Sequence, residues 1–193
     1  MTAPKAAKKS RYKQAEGKHW IEVRVRSPQQ LFDARDPAPF RERDLDDDCV
    51  AYIVASAREV PVNGALKIAI HIEEPMKDLT KDSIKESIHE FFAYQLELQR
   101  SELKAFLRRS QVTLVLGLGV LAALLSIAQN IPVSQPPGAL GILREGLVIF
   151  GWVSVWKPIE LILFDWYPMV EKQRLFRRLL EADIDVRFSE TPT

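Results

Sequence analysis

A run of twenty residues without a charge, Gln111 to Asn130 (QVTLVLGLGVLAALLSIAQN), constrains this chain more than any other feature. At about 1.5 Å per helical residue it is about 30 Å long, the thickness of a bilayer's hydrocarbon core. Lys104, Arg108 and Arg109 stand just before it. Core helices of water-soluble proteins usually stop well short of that length, so the run is expected to be a transmembrane helix.

The remainder cannot all lie in lipid. Of 193 residues 27% are charged, and the mean hydropathy is −0.11, so membrane and water-exposed parts must be segregated along the chain. Twenty-seven basic residues against 26 acidic ones leave a formal charge of +1, which argues for neither nucleic acid nor an acidic substrate. The single cysteine, Cys49, excludes an internal disulfide and a multi-cysteine metal site, in keeping with a reducing compartment. The amino terminus lacks the apolar segment of a secretory signal, so the first span is expected to act as the insertion signal.

Residues 1–18 carry Lys5, Lys8, Lys9, Arg11, Lys13 and Lys18 against Glu16 and read as a disordered basic tail, either simply solvated or held near anionic lipid. A cap module is expected over 19–76. HWIEVRVR (19–26) alternates as a half-buried strand, with Ile21, Val23 and Val25 to one side. ALKIAIHIEE (65–74) repeats the pattern after the Asn63-Gly64 turn signal and ends at Pro75. Between them, Cys49, Val50, Ile53, Val54 and Ala57 share a helical stripe over about 45–60, stopped at Pro61. Strand, helix, strand suggests a parallel crossover unit. DIDVRF (183–188) supplies a third strand.

From Lys77 to Pro132 there is no proline. Ser83 and Glu86 make a capping-box pattern, and one helix is expected from about Asp82 through Asn130, roughly 70 Å long. Its parts are a water-exposed stretch (77–110) and a first span (111–131). A proline-rich turn (132–145) leads to a second span (146–167) and a basic amphipathic helix (168–182). Trp166 and Tyr167 match an interfacial belt. Arg100, Lys104, Arg108 and Arg109 before the first span, with Lys172, Arg174, Arg177 and Arg178 after the second, place both termini in the cytoplasm.

Three groups of residues could carry function. Lys157 and Glu160 sit inside the second span, and Lys157 is eleven residues past Gly146, about 16 Å below one surface. Three apart, they can pair, and Pro158 frees the carbonyl of Ser154. Ser154, Lys157, Pro158 and Glu160 could therefore line a polar seam in an oligomer. The competing reading ends the span near Trp156 and leaves WKPIELILFDWYP at the interface.

Gly119, Ala122, Ala123 and Ser126, with Gly117 close by, offer a face for close helix packing, within the chain or against a neighbour. In LFDARDPAPFRERDLDDD, the acids Asp44, Asp46, Asp47 and Asp48 could supply oxygen ligands to a hard cation. The spacing is not that of an EF-hand loop, Arg35, Arg41 and Arg43 stand ready as partners, and a helix start explains the same acids. His19, His71 and His89 are scattered and lack ligand spacing.

The DPAPFRERDLD run, followed by a short helix, a strand and a two-span hairpin, resembles a family of uncharacterised bacterial two-span inner-membrane proteins with a DPxPFxERDLD run. The resemblance implies that setting and no activity.

The expected fold is α+β, a small cytoplasmic β-α-β(+β) cap on a long antiparallel helical hairpin that spans the membrane twice. The expected function is an oligomeric inner-membrane scaffold or regulatory subunit, without a cofactor, partnered by the lipid bilayer, its own copies and a protein at the cap, and not by nucleic acid. The alternative is a small oligomeric ion channel or proton-coupled transporter using the Lys157/Glu160 seam. An enzyme ranks last, since no nucleophile or base stands beside the acidic loop.

Overall fold

The alternating segments form strands. In the computed structural model, which describes residues 14–15, 17–39, 43–62, 64–74, 79–132 and 138–188, β2 (Lys18–Val25), β3 (Ala65–Ile72) and β4 (Asp183–Phe188) pair in parallel. Their register sets Ile21 beside Ile68 and Ile68 beside Ile184, so β-branched residues from all three strands share one face. A two-residue strand, β1 (Gln14–Ala15), folds back antiparallel on the start of β2 through Gly17, whose φ of 71° favours glycine. The order is β1-β2-β3-β4. The expected tail through residue 18 is therefore too long. The indole N–H of Trp20 donates to the Ala15 carbonyl at 3.2 Å and ties this stretch to the sheet. The tail's other bases, Lys5, Lys8, Lys9, Arg11 and Lys13, lie outside the described residues, as do Arg41, Asn63, Pro75, Lys77 and the centre of the 132–145 turn.

Helix α1 (Asp47–Glu59) starts where the acids cluster. One carboxylate oxygen of Asp46 accepts from the amides of Asp48 at 3.1 Å and Cys49 at 3.2 Å, and Asp47 and Asp48 lie in the first turn, favourable to the dipole. Helix α2 (Lys81–Gln129) has 49 residues. It starts one residue before the expected Asp82, and the Thr80 hydroxyl oxygen caps it, accepting from the Ser83 amide at 3.2 Å.

Helix α3 (Ala139–Glu160) takes in Ala139–Glu145, which the sequence reading leaves in the turn. Once past Gly138, nothing in ALGILRE breaks a helix, and the amide of Ile142 already bonds to the Gly138 carbonyl. A π-helical turn, Leu161–Asp165, leads to α4 (Tyr167–Leu180).

The chain divides into two compact units, Met1–Glu97 with Gln173–Thr193, and Leu98–Lys172. In the first, Ile21 and Val23, Leu66, Ile68, Ile70 and Ile72, and Ile184 and Val186 pack with Ile53 and Ala57 of α1, Ile84, Ile88, Phe92 and Leu96 of α2, and Phe176 and Leu179 of α4. The third strand thus joins the same core as the first two. Arg178 of α4 donates to the carbonyls of Pro61 at 2.9 Å and Gly64 at 3.1 Å, fixing the turn before β3. A Cβ on Gly64 would stand 2.7 Å from Cδ2 of the buried His19, so this approach requires glycine.

The second unit holds the rest of α2, all of α3 and the first residues of α4. Among the described residues two helical runs, Lys81–Gln129 and Ala139–Leu180, are long and apolar enough to cross a membrane. The apolar stretch of each is largely open, with only 17% of it buried.

Candidate functional site

Inside the second unit the two apolar helices meet through small residues. A Cβ on Gly117 would stand 3.0 Å from the Ser154 carbonyl oxygen and 3.3 Å from Cγ of Pro158. One on Gly151 would stand 2.9 Å from Cδ1 of Leu121. Further along, Nε of Arg144 donates to the Ala128 carbonyl at 3.2 Å. Partner numbers on α3 fall from 154 through 151 to 144 as those on α2 rise from 117 through 121 to 128.

Pro158 bears on the first of these contacts. It has no N–H, so the Ser154 carbonyl lacks its usual helical partner. A Cβ at position 117 would crowd that oxygen, so glycine is what lets the two backbones approach here. The Ser154 hydroxyl donates to the Gly151 carbonyl at 2.6 Å and reaches the Gly117 carbonyl at 3.4 Å. Helical backbone continues past Trp156 through the proline to Glu160, where the Leu161 amide shares the carbonyls of Lys157 and Pro158 before the π-helical turn.

The four seam candidates do not share one surface. Ser154 and the buried Pro158 belong to the helix–helix contact. Lys157 and Glu160 point away from it, joined by an ion pair of 3.1 Å, with their side chains 66% and 43% exposed. The small residues divide likewise. Gly117 packs on α3, whereas Gly119, Ala122, Ala123 and Ser126 are exposed, and a Cβ on Gly119 would meet nothing within 4 Å. The reason is helical phase: Gly117, Leu121, Leu124 and Ala128 recur at three- and four-residue steps on one stripe, and residues 119, 122, 123 and 126 fall on the opposite side. Gly151 and Leu121 escape the sequence reading. The signal was Gly151 itself, a glycine deep in an apolar run.

In the first unit the acidic loop is built around backbone amides. The Asp33 amide donates to the Asp44 carbonyl, and the Asp46 amide to the Leu31 carbonyl, each at 2.9 Å. Phe32 and Leu45 form an antiparallel bridge, and both are buried. Asp36 accepts from the amides of Ala38 and Asp44, at 2.9 Å each, and these bonds hold its carboxyl below the usual range. Arg35 does the same for Asp33, donating from Nε at 3.0 Å. Among the described residues no three His, Cys, Asp or Glu side chains stand together as a metal site, and Asp44, Asp46, Asp47 and Asp48 do not converge.

Cys49 lies at the start of α1, and burial, aided by the charge of Asp46, pushes its thiol up from 9.0 to about 11. Little thiolate therefore forms near neutral pH. Mass spectrometry after brief iodoacetamide treatment at neutral pH is expected to show little adduct on the native chain and full modification in urea.

The other sheet face carries a polar network that alternation marks as outward without revealing its partners. Nζ of Lys67 lies 4.4 Å from the Trp20 ring centre and Cζ of Arg187 lies 5.2 Å from it. Asp183 pairs with Lys18 at 3.0 Å, which lowers its carboxyl pKa, and Asp185 with Arg187 at 2.7 Å.

Fold and site define a class: an α+β chain that joins a largely parallel sheet unit to two helices apolar and long enough to cross a membrane. Compared with protein-family models, curated proteins and solved structures, the chain matches none.

Proposed function

We propose that the chain is an oligomeric scaffold or regulatory subunit of a bacterial inner membrane. Its two apolar helices form an antiparallel hairpin that crosses twice, both termini are cytoplasmic, and the sheet unit is an interaction cap for a protein partner. One observation carries the reading. Two helices of such hydropathy leave most of their surface open, with Val115, Leu116, Ile142, Phe150, Trp152 and Trp156 all exposed, and lipid is the solvent that suits them. The open stripe of Gly119, Ala122, Ala123 and Ser126 suits close approach by a second copy.

Native mass spectrometry of the full chain in nanodiscs tests the assembly. The expected result is a multiple of the 22.0 kDa chain mass that falls to a smaller particle in Gly119→Leu. A monomer at all concentrations contradicts the oligomer.

A second reading, a small ion channel or proton-coupled transporter, draws on the Lys157–Glu160 pair. A charged pair facing away from its own helix partner at membrane depth must be covered by another chain or by water. Two spans enclose no pathway alone, so this reading needs a ring of several copies. It predicts ion flux in proteoliposomes that falls at least about tenfold in Lys157→Ala and Glu160→Ala, the size expected for removing one partner of a poorly solvated pair. Wild-type flux in both variants, or none in the wild type, refutes it.

A further inference from the structure

We propose that Lys104, Arg108 and Arg109, on the turns of α2 just before its apolar run, form a binding surface for anionic phospholipid headgroups. The inference rests on the membrane reading above and adds a lipid class to it. Residues 98–110 hold four bases, Arg100, Lys104, Arg108 and Arg109, against one acid, Glu102. After Arg109 no charge occurs until Arg144.

Lys104, Arg108 and Arg109 are all exposed, and among the described residues none of them enters an ion pair. Inward positions on the same turns belong to Gln99 and Ser110, which are buried, and to the half-buried Leu103 and Phe106. The three cations therefore remain available to an outside anion.

Helical geometry places them within about 7.5 Å of one another along the axis. Lys104 and Arg108 are one turn apart on one face, with Arg109 round the side. The backbone of Arg109 lies about 4.5 Å along the axis from Val112, the first exposed apolar residue of the uncharged run. Helical side chains lean toward the amino terminus, here away from the apolar run, so the charged groups reach toward the headgroup layer. Guanidinium groups bind phosphate through paired hydrogen bonds.

A phosphate with acyl chains fits this juxtaposition at both ends, its anion on Arg108 and Arg109 and its chains on exposed Val112, Val115 and Leu116. A free phosphate fits one end only. A zwitterionic headgroup carries its own cation beside the phosphate and gains less. Each base near an anionic surface contributes about fivefold in binding at low salt, so three give up to a hundredfold.

The test is native mass spectrometry of the full chain released from micelles containing equal phosphatidylglycerol and phosphatidylcholine. The expected result is retention of phosphatidylglycerol over phosphatidylcholine by about tenfold or more at low salt, shrinking as salt rises. The combined variant Lys104→Gln, Arg108→Gln, Arg109→Gln brings the two lipids to near parity. Arg24→Gln, on the solvent side of β2, leaves the preference intact.

Equal retention by the wild type, or an unchanged preference in the triple variant, overturns the proposal. So does displacement of the lipid by glycerol phosphate, which would show a site for bare phosphate. A chain that stays soluble without detergent overturns the membrane reading itself, a separate failure.

Discussion

Phe92→Ala is expected to open the sheet unit. The ring is fully buried, 5.5 Å from that of Phe91 in an edge-on arrangement and 6.4 Å from that of Phe176. It joins the α2 part of the core to the α4 part that leads into β4. Removing a fully buried phenylalanine costs about 3–5 kcal/mol, from lost transfer energy and the cavity left behind. A domain has about 5–15 kcal/mol in all, so a large share of the margin disappears. Hydrogen exchange on the full chain reads this directly. Protection of the β3 amides from Ile68 to Ile72 should fall by two to three orders of magnitude, at about 1.4 kcal/mol per factor of ten. Amides of the second unit should keep theirs. A drop below about fivefold would mean that the core closes over the space, against the packing described.

The second large effect separates two glycines two residues apart. Gly117→Leu puts side-chain atoms where the Ser154 carbonyl and the Pro158 ring already stand, and the first of them are backbone atoms that cannot swing aside. Overpacking of this kind costs about 1–3 kcal/mol. In mixed micelles titrated with SDS, the Gly117→Leu chain should lose its helix–helix contact at a clearly lower SDS fraction than the wild type. Gly119→Leu adds a side chain to open space, so the midpoint should stay within experimental scatter while the particle mass changes. Equal shifts from both substitutions would show that both glycines face the same neighbour, contrary to the phase of α2.

Some of this was legible in the residues. DIDVRF reads as a strand by alternation alone, and β4 spans those six residues, because Ile184 and Val186 have no other way to reach a core. The long α2 follows from an unbroken proline-free stretch. Ends and contacts were harder. The α3 start carries no capping side chain at Gly138, so the sequence offers no mark for it. β1 has two residues, too few for a pattern to show.

Pro158 frees the Ser154 carbonyl, yet helix continues through it, its ring packing beside Gly117 and a π-helical turn following downstream. The placing of the seam residues was illegible for a related reason. Spacing shows that Lys157 and Glu160 can pair, but it does not say which side of α3 meets α2, and that is set by Gly151 and Ser154. Likewise, helical phase sets Gly117 apart from Gly119, Ala122, Ala123 and Ser126, but it does not say which of the two sides meets α3.

Protease protection of tagged chains tests the central proposal most directly. With one tag at each terminus and, in a separate chain, a tag inserted at Ser134, the two-span hairpin predicts opposite behaviour in inverted and right-side-out bacterial membrane vesicles. Both terminal tags should be digested in inverted vesicles and protected in right-side-out ones, with the Ser134 tag showing the reverse. Termini on opposite sides, a Ser134 tag on the same side as the termini, or release of the chain from the vesicles by alkaline carbonate would contradict it.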